Sequence, residues 1–159
     1  MILVSVGSSD DGFDRVVRIV DELKGEGKIK DRVVAQTGYG SYKPKNVEEC
    51  FGFTSWEEIN RLNKEAGCVI SHGGIGSILT SLQYSTPFIA VPRLKRLGEH
   101  TNDHQVDTVK VLESQGKVLV AMDKNSMLQC IQRVESGWKP KTTRSSSGVV
   151  KDIMRFLDR

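Results

Sequence analysis

One stretch constrains the fold of this chain more than any other: Cys68-Val69-Ile70-Ser71-His72-Gly73-Gly74-Ile75-Gly76-Ser77. An apolar run as long as a buried strand breaks into three glycines in four positions, and apolar residues return at Ile75, Ile78, Leu79 and Leu82 with helical spacing. The reading is strand, turn, helix. Glycines there admit positive φ and the close approach of a ligand, while the unpaired N–H groups of the new helix point into the turn, so an anion such as phosphate is the natural occupant. His72 and Ser77 flank the glycines with side-chain donors suited to a diphosphate. The glycine spacing is not that of the dinucleotide fingerprint.

The same alternation runs through the chain. Ile2 to Val6 reads as a strand ending in Gly7-Ser8-Ser9, a possible second anion nest, and Phe13, Val16, Val17, Val20 and Leu23 follow at helical spacing. Asp10-Asp11 in that turn suits either helix capping or, less commonly, a paired-carboxylate metal site. Further strands are expected over 32–38, 47–53, 88–92 and 117–121. A capping box at Ser55 to Glu58 opens one helix, Asn102 to Gln105 starts another that Gly116 closes, and Asp123 starts a third. A last helix is expected to carry Val149, Ile153 and Leu157. Strands alternating with helices imply a single α/β domain over residues 1–159, a doubly wound, mainly parallel Rossmann-like sheet whose ligand sits beyond the carboxyl ends of the strands. Gly7-Ser8-Ser9, Ser71 to Ser77 and the loop from Arg93 to Gln105 should meet at that rim.

Composition narrows the partners. At 38% hydrophobic and 27% charged the chain reads as globular, and no apolar run approaches the ~20 residues of a membrane span. The start lacks the pattern of a secretory signal, so a cytoplasmic protein is expected. Cys50, Cys68 and Cys130 are odd in number and far apart, and are read as small core residues rather than a disulfide framework or zinc site. The net charge of +3 is mild; Arg93-Leu94-Lys95-Arg96 and Lys139-Pro140-Lys141 read as solvated surface, and no aromatic platforms suggest nucleic acid. His100 and His104 lack a third ligand for a metal.

These segments resemble the carboxyl-terminal, donor-binding half of GT-B glycosyltransferases of family 28, and the likeness runs almost end to end. It is carried by Val4-Ser5-Val6-Gly7-Ser8-Ser9, Gln36-Thr37-Gly38-Tyr39-Gly40, Ser71-His72-Gly73-Gly74, Gly76-Ser77, and Gly98-Glu99-His100-Thr101-Asn102-Asp103-His104-Gln105. The small single-domain members are donor-binding subunits of two-part enzymes of lipid-linked oligosaccharide or exopolysaccharide synthesis. The resemblance therefore implies a UDP-sugar donor such as UDP-GlcNAc, UDP-Gal or UDP-GlcA, no permanently bound cofactor and no metal. It also implies a membrane-associated partner subunit that binds a lipid-linked acceptor and supplies the general base, with this chain at the cytoplasmic face. Isolated, the chain could cover the partner surface as a homodimer.

By position, the resemblance puts Gly73, Gly74 and Ser77 on the diphosphate with His72 donating to it, and Gly7 and Ser8 across the same cleft. Asp103 and Gln105 match residues that grip sugar hydroxyls, and Phe53 lies beside the base. Thr80 stands where members often carry an acidic residue for the ribose, which weakens that grip by ~1 kcal/mol or more. Two classes follow: a catalytic donor-binding subunit, or a noncatalytic enhancer that keeps the fold and docks a glycosyltransferase partner.

Overall fold

The computed structural model describes residues 1–141; the helix expected around Val149 to Leu157 lies outside them. In chain order the elements are β1 (Ile2–Ser5), α1 (Asp14–Gly25), β2 (Val33–Gln36), β3 (Glu49–Phe51), α2 (Trp56–Glu65), β4 (Cys68–Ser71), α3 (Ile75–Gln83), β5 (Phe88–Ala90), α4 (His104–Ser114), β6 (Leu119–Val120) and α5 (Lys124–Glu135), with a 3₁₀ turn at Lys95–Leu97. The six strands form one sheet in the order β3-β2-β1-β4-β5-β6, every pair parallel. This is the expected doubly wound architecture.

Register follows from two-sided burial. Ile2 pairs with Val33 and Cys68, so alternate residues of neighbouring strands share a face. Ile2, Val4, Cys68 and Ile70 face a core built with Val16, Val20, Met127 and Ile131 of α1 and α5. Leu3, Val34, Val69 and Phe88 face the other, with Leu62, Ile78, Val109 and Leu112 of α2, α3 and α4. Because both faces are covered, the central strands read as unbroken apolar runs in the sequence.

Local chemistry sets several boundaries. Ser55 caps α2, its side chain accepting from the Glu58 amide, but the Glu58 carboxylate turns to Arg61 instead of closing the expected box. Asp123 and Ser126 form a reciprocal capping box on α5. The Asp10-Asp11 pair does not cap α1. Its cap position is Phe13, without a side-chain bond, because that ring is drawn into the core and the helix begins beyond the acidic pair.

Two expectations need correction here. Cys50 is exposed, since β3 is the sheet edge and is short; Cys68 and Cys130 are buried as expected, and burial pushes the Cys130 thiol up to about 11. Arg93 is not solvated surface: it is 2% exposed and donates to the carbonyls of Val6, Asp11 and Glu99, with its guanidinium 4.8 Å from the centre of the Phe13 ring. Lys95 and Arg96 beside it are exposed. Among the described residues no helix is long and apolar enough to cross a membrane.

Candidate functional site

The strand order reverses direction between β1 and β4, and in such sheets the crevice beyond the carboxyl ends at that point is where ligands bind. The exits of β1 and β4 flank it. A cavity of about 390 Å³ opens there, floored by Ser5, Gln36 and Ser71 at the strand ends and walled by residues of α2 and α3. Of the residues singled out in the sequence, Gly7, Ser8, Phe53, Ser77 and Thr80 line it. His72, Gly73 and Gly74 stand beside that lining rather than in it, as do Asp103 and Gln105, the latter packed against Gly73.

The amino terminus of α3 faces this space. Its cap position is Gly74, which has no side chain to satisfy the first-turn amides, so the N–H groups of Ile75, Gly76 and Ser77 have no intrahelical partner and carry the positive end of the helix dipole. Among the described residues no ionisable side chain lines the cavity, and the first turn of α3 holds no acidic residue to oppose an anion. Thr80 donates its hydroxyl to the Gly76 carbonyl at 3.0 Å, leaving its oxygen able only to accept from a ligand.

The glycines of the turn act by close approach rather than by positive φ, which none of Gly73, Gly74 and Gly76 adopts. A Cβ on Gly73 would lie 2.7 Å from Val109 Cγ1, so this glycine lets α4 dock against the turn. One on Gly74 would lie 2.8 Å from Cδ2 of His72, and one on Gly7 2.7 Å from its Cε1. The His72 ring is thus clasped between the β1 and β4 exits. Gly7 also needs its glycine for backbone reasons, at φ +79°. Gly76 differs: nothing lies within 4 Å of where its Cβ would be, and it lines the cavity.

Two residues that hold the rim together stand in the resemblance motifs but have no role assigned from the sequence. The buried Gln36 carboxamide accepts from Ser5 Oγ, Val6 N and Gly7 N, and donates to the carbonyls of Gly7 and Gly52, tying the exits of β1 and β3 together. Glu99 receives a bidentate pair from Arg15, at 2.7 and 2.8 Å, and accepts from the Leu94 amide, anchoring the β5–α4 loop to α1. Asp103 occupies the cap position of α4 but its carboxylate accepts from the Lys95 amide, and Gln105 Oε1 accepts from the Arg93 amide. Both therefore already serve the loop. His100 Nδ1 accepts from the Thr101 amide, and no metal-binding group of three or more side chains occurs among the described residues.

Burial, reinforced by Arg93 and His100 nearby, lowers the His72 pKa to about 4 against a pull upward from the Ser5 carbonyl, so the ring is neutral at pH 7. At the outer edge of the cavity Tyr39 and Phe53 meet edge to face with centroids 4.7 Å apart, and Trp56 stands 73% exposed. Trp56, with Asn60 on the next turn of α2, lines the cavity and was not singled out from the sequence, where it reads as an ordinary first-turn residue.

Compared with known proteins, residues 1–147 match the model of the glycosyltransferase family 28 C-terminal domain. The chain belongs to that family. The human UDP-N-acetylglucosamine transferase subunit ALG13 is 28% identical over 123 residues, a match covering 72% of this chain and 10% of that protein. The chain thus spans about a tenth of the length of that curated relative. Among solved structures, the solution structure of ALG13 superposes with a TM-score of 0.66 at 17% identity, covering 96% of this chain and 94% of that one. The calicheamicin glycosyltransferase CalG4 gives 0.61 at 17% identity, covering 97% of this chain and 37% of that one. These likenesses show the fold: a Rossmann-like domain of the GT-B type, here with the glycine turn after β4 at the switch point.

Proposed function

We propose that this family 28 domain is the donor-binding catalytic subunit of a two-part glycosyltransferase that moves a sugar from a UDP-sugar to a hydroxyl of a lipid-linked acceptor. The observation that carries the reading is the uncapped start of α3, opening with Ser77 and Thr80 onto the cavity at the β1–β4 switch point. The cavity's volume falls in the range typical of small-molecule sites. UDP-GlcNAc is the first donor to test, given the name of the human relative; UDP-Gal and UDP-GlcA follow.

In the proposed mechanism negative charge grows on the leaving diphosphate as the bond to the anomeric carbon breaks. The amides of Ile75 to Ser77 and the Ser77 hydroxyl sit where they can receive it, preorganised and with no charged side chain between. This chain is assigned no metal ion, because the charge is met by N–H and O–H donors. Since no ionisable side chain among the described residues lines the cavity, the base that deprotonates the acceptor is assigned to a membrane-associated partner, which would hold this subunit at the cytoplasmic face.

Titration of the chain with UDP and UDP-sugars, followed by amide shifts, tests the reading. Shifts centred on Gly76, Ser77 and Thr80 are expected, and Ser77→Ala should lower activity of the reconstituted pair by 10²–10³. The bond that Thr80 makes to Gly76 favours a weak ribose grip and hence the second reading, a noncatalytic enhancer. That reading requires Ser77→Ala to leave the pair's activity unchanged.

A further inference from the structure

Ser71 ends β4 immediately before His72 and is fully buried. Its hydroxyl donates to the carbonyl of Ser5, its register partner across β1 and β4, at 2.5 Å. The same oxygen lies 3.1 Å from His72 Nδ1. A serine hydroxyl has one hydrogen and a carbonyl can only accept, so that hydrogen is committed to Ser5. Ser71 Oγ must then accept from the ring, and the neutral imidazole carries its hydrogen on Nδ1. Nε2 is left as a bare lone pair. It is aimed between the two glycines, 3.2 Å from where a Gly7 Cβ would lie and closer still to one on Gly74, and has no hydrogen-bond partner among the described residues.

A bare lone pair repels a phosphate oxygen. We propose that Ser71 is a positioning residue that fixes His72 in its Nδ1–H form, so that a nucleoside diphosphate engages His72 only with uptake of one proton from solvent at Nε2. The inference rests on the donor-binding reading for its ligand, but not for its tautomer. The surroundings agree with an unprotonated Nε2 in the free protein. Arg93 from the β5 exit and His100 from the loop before α4 both oppose a second proton, as does burial, and α3 contributes no ionisable residue. On the α4 side the Asp103 carboxylate is engaged by the Lys95 amide, and Glu99 is engaged by Arg15. Only the Ser5 carbonyl on β1 pulls the other way. A bound diphosphate would supply the missing negative charge beside Nε2.

Long-range ¹⁵N–¹H correlation on the free, labelled chain at neutral pH reads the tautomer without any ligand. A pyrrole-type shift at Nδ1 and a pyridine-type shift at Nε2 are expected for His72; the reverse pattern overturns the proposal. Ser71→Ala should release the ring toward the Nε2–H form while the amide spectrum stays that of a folded domain, an effect that a purely structural serine would not produce. Calorimetric titration with UDP at neutral pH, in buffers of different ionisation enthalpy, then counts protons. Uptake approaching one per UDP is expected for the unmodified chain and none for His72→Gln. UDP binding without uptake overturns the proposal and leaves the donor-binding reading intact. Failure to bind millimolar UDP would instead overturn that reading, and the uptake step with it, whatever the ring nitrogens show.

Discussion

Gln36 is the residue whose loss should damage the domain most for the smallest change in shape. Leucine is one atom shorter than glutamine but no smaller in volume, so Gln36→Leu removes the hydrogen bonds at the end of β2 without opening a large cavity. Not every partner is orphaned. Val6 N–H also reaches the Gln36 backbone carbonyl at 3.2 Å, and the Gly52 carbonyl also accepts from the Gly38 amide at 3.0 Å. The Ser5 hydroxyl, the Gly7 N–H and the Gly7 carbonyl lose the partner they have. An unsatisfied buried polar group costs ~1–3 kcal/mol, and the cavity beside Ser5 and Gly7 admits some water, so the net loss should be about 3 kcal/mol. That is a large share of the ~5–15 kcal/mol typical of a domain. With a urea dependence of about 2 kcal/mol per molar, the unfolding midpoint should fall by about 1.5 M. Amide exchange locates the effect: protection should drop at Val6 and Gly7 before the rest of β1. A midpoint within about 0.3 M of the parent, or exchange unchanged at Gly7, would refute the assignment of Gln36 as the tie between strand exits.

The glycines of the turn should respond with opposite signs. Gly76→Ala adds a methyl into open space in a helix and should stabilise by ~0.5 kcal/mol while weakening UDP binding, whereas Gly74→Ala drives into the His72 ring and should destabilise by ~1–3 kcal/mol; thermal melts and UDP titration read both, and a shared sign in the melts would refute the contrast. For His72 the folded pKa of about 4 lies below the ordinary value of 6.5, so between those values the unfolded chain binds more protons and stability falls as pH drops. Replacing it by glutamine should flatten that decline, by about 3 kcal/mol at most across the window, in urea titrations at several pH values; an unchanged slope would contradict the burial argument. A thiol reagent should modify Cys50 at once, and Cys68 and Cys130 only as the protein unfolds. Rapid loss of all three thiols would contradict the core placement of the latter two.

The architecture was legible because its central strands are covered on both faces. Val33-Val34-Ala35 and Cys68-Val69-Ile70 could belong only to a buried sheet, and the helices between them fixed its parallel sense. The edge was harder to read: β3 has one neighbour and little cover, so its length and the exposure of Cys50 follow from tertiary position and not from local pattern. The polar ties failed for a different reason. Arg93 looks like surface by type, and its burial depends on carbonyls of Val6, Asp11 and Glu99 that only folding brings together. Gln36 did leave a trace, as a polar residue closing an apolar strand in register with Ser5, whose other neighbour is Ser71. Three polar side chains at one level of three adjacent buried strands mark a place where the sheet stops being only a core.

The glycine turn shows what sequence leaves open even at its most informative point. Gly73, Gly74 and Gly76 look alike in the chain, and each could have served positive φ, packing or a ligand. Long-range neighbours separate them. Val109 on α4 requires Gly73, and the His72 ring requires Gly74; both would be needed if the domain bound nothing at all. Gly76 alone of the three is required by no atom of the described residues, and at an exposed helical position its lack of a side chain costs stability that alanine would return. Under the donor-binding proposal, the vacancy over an uncapped helix start and facing a cavity is what leaves the backbone bare for the diphosphate.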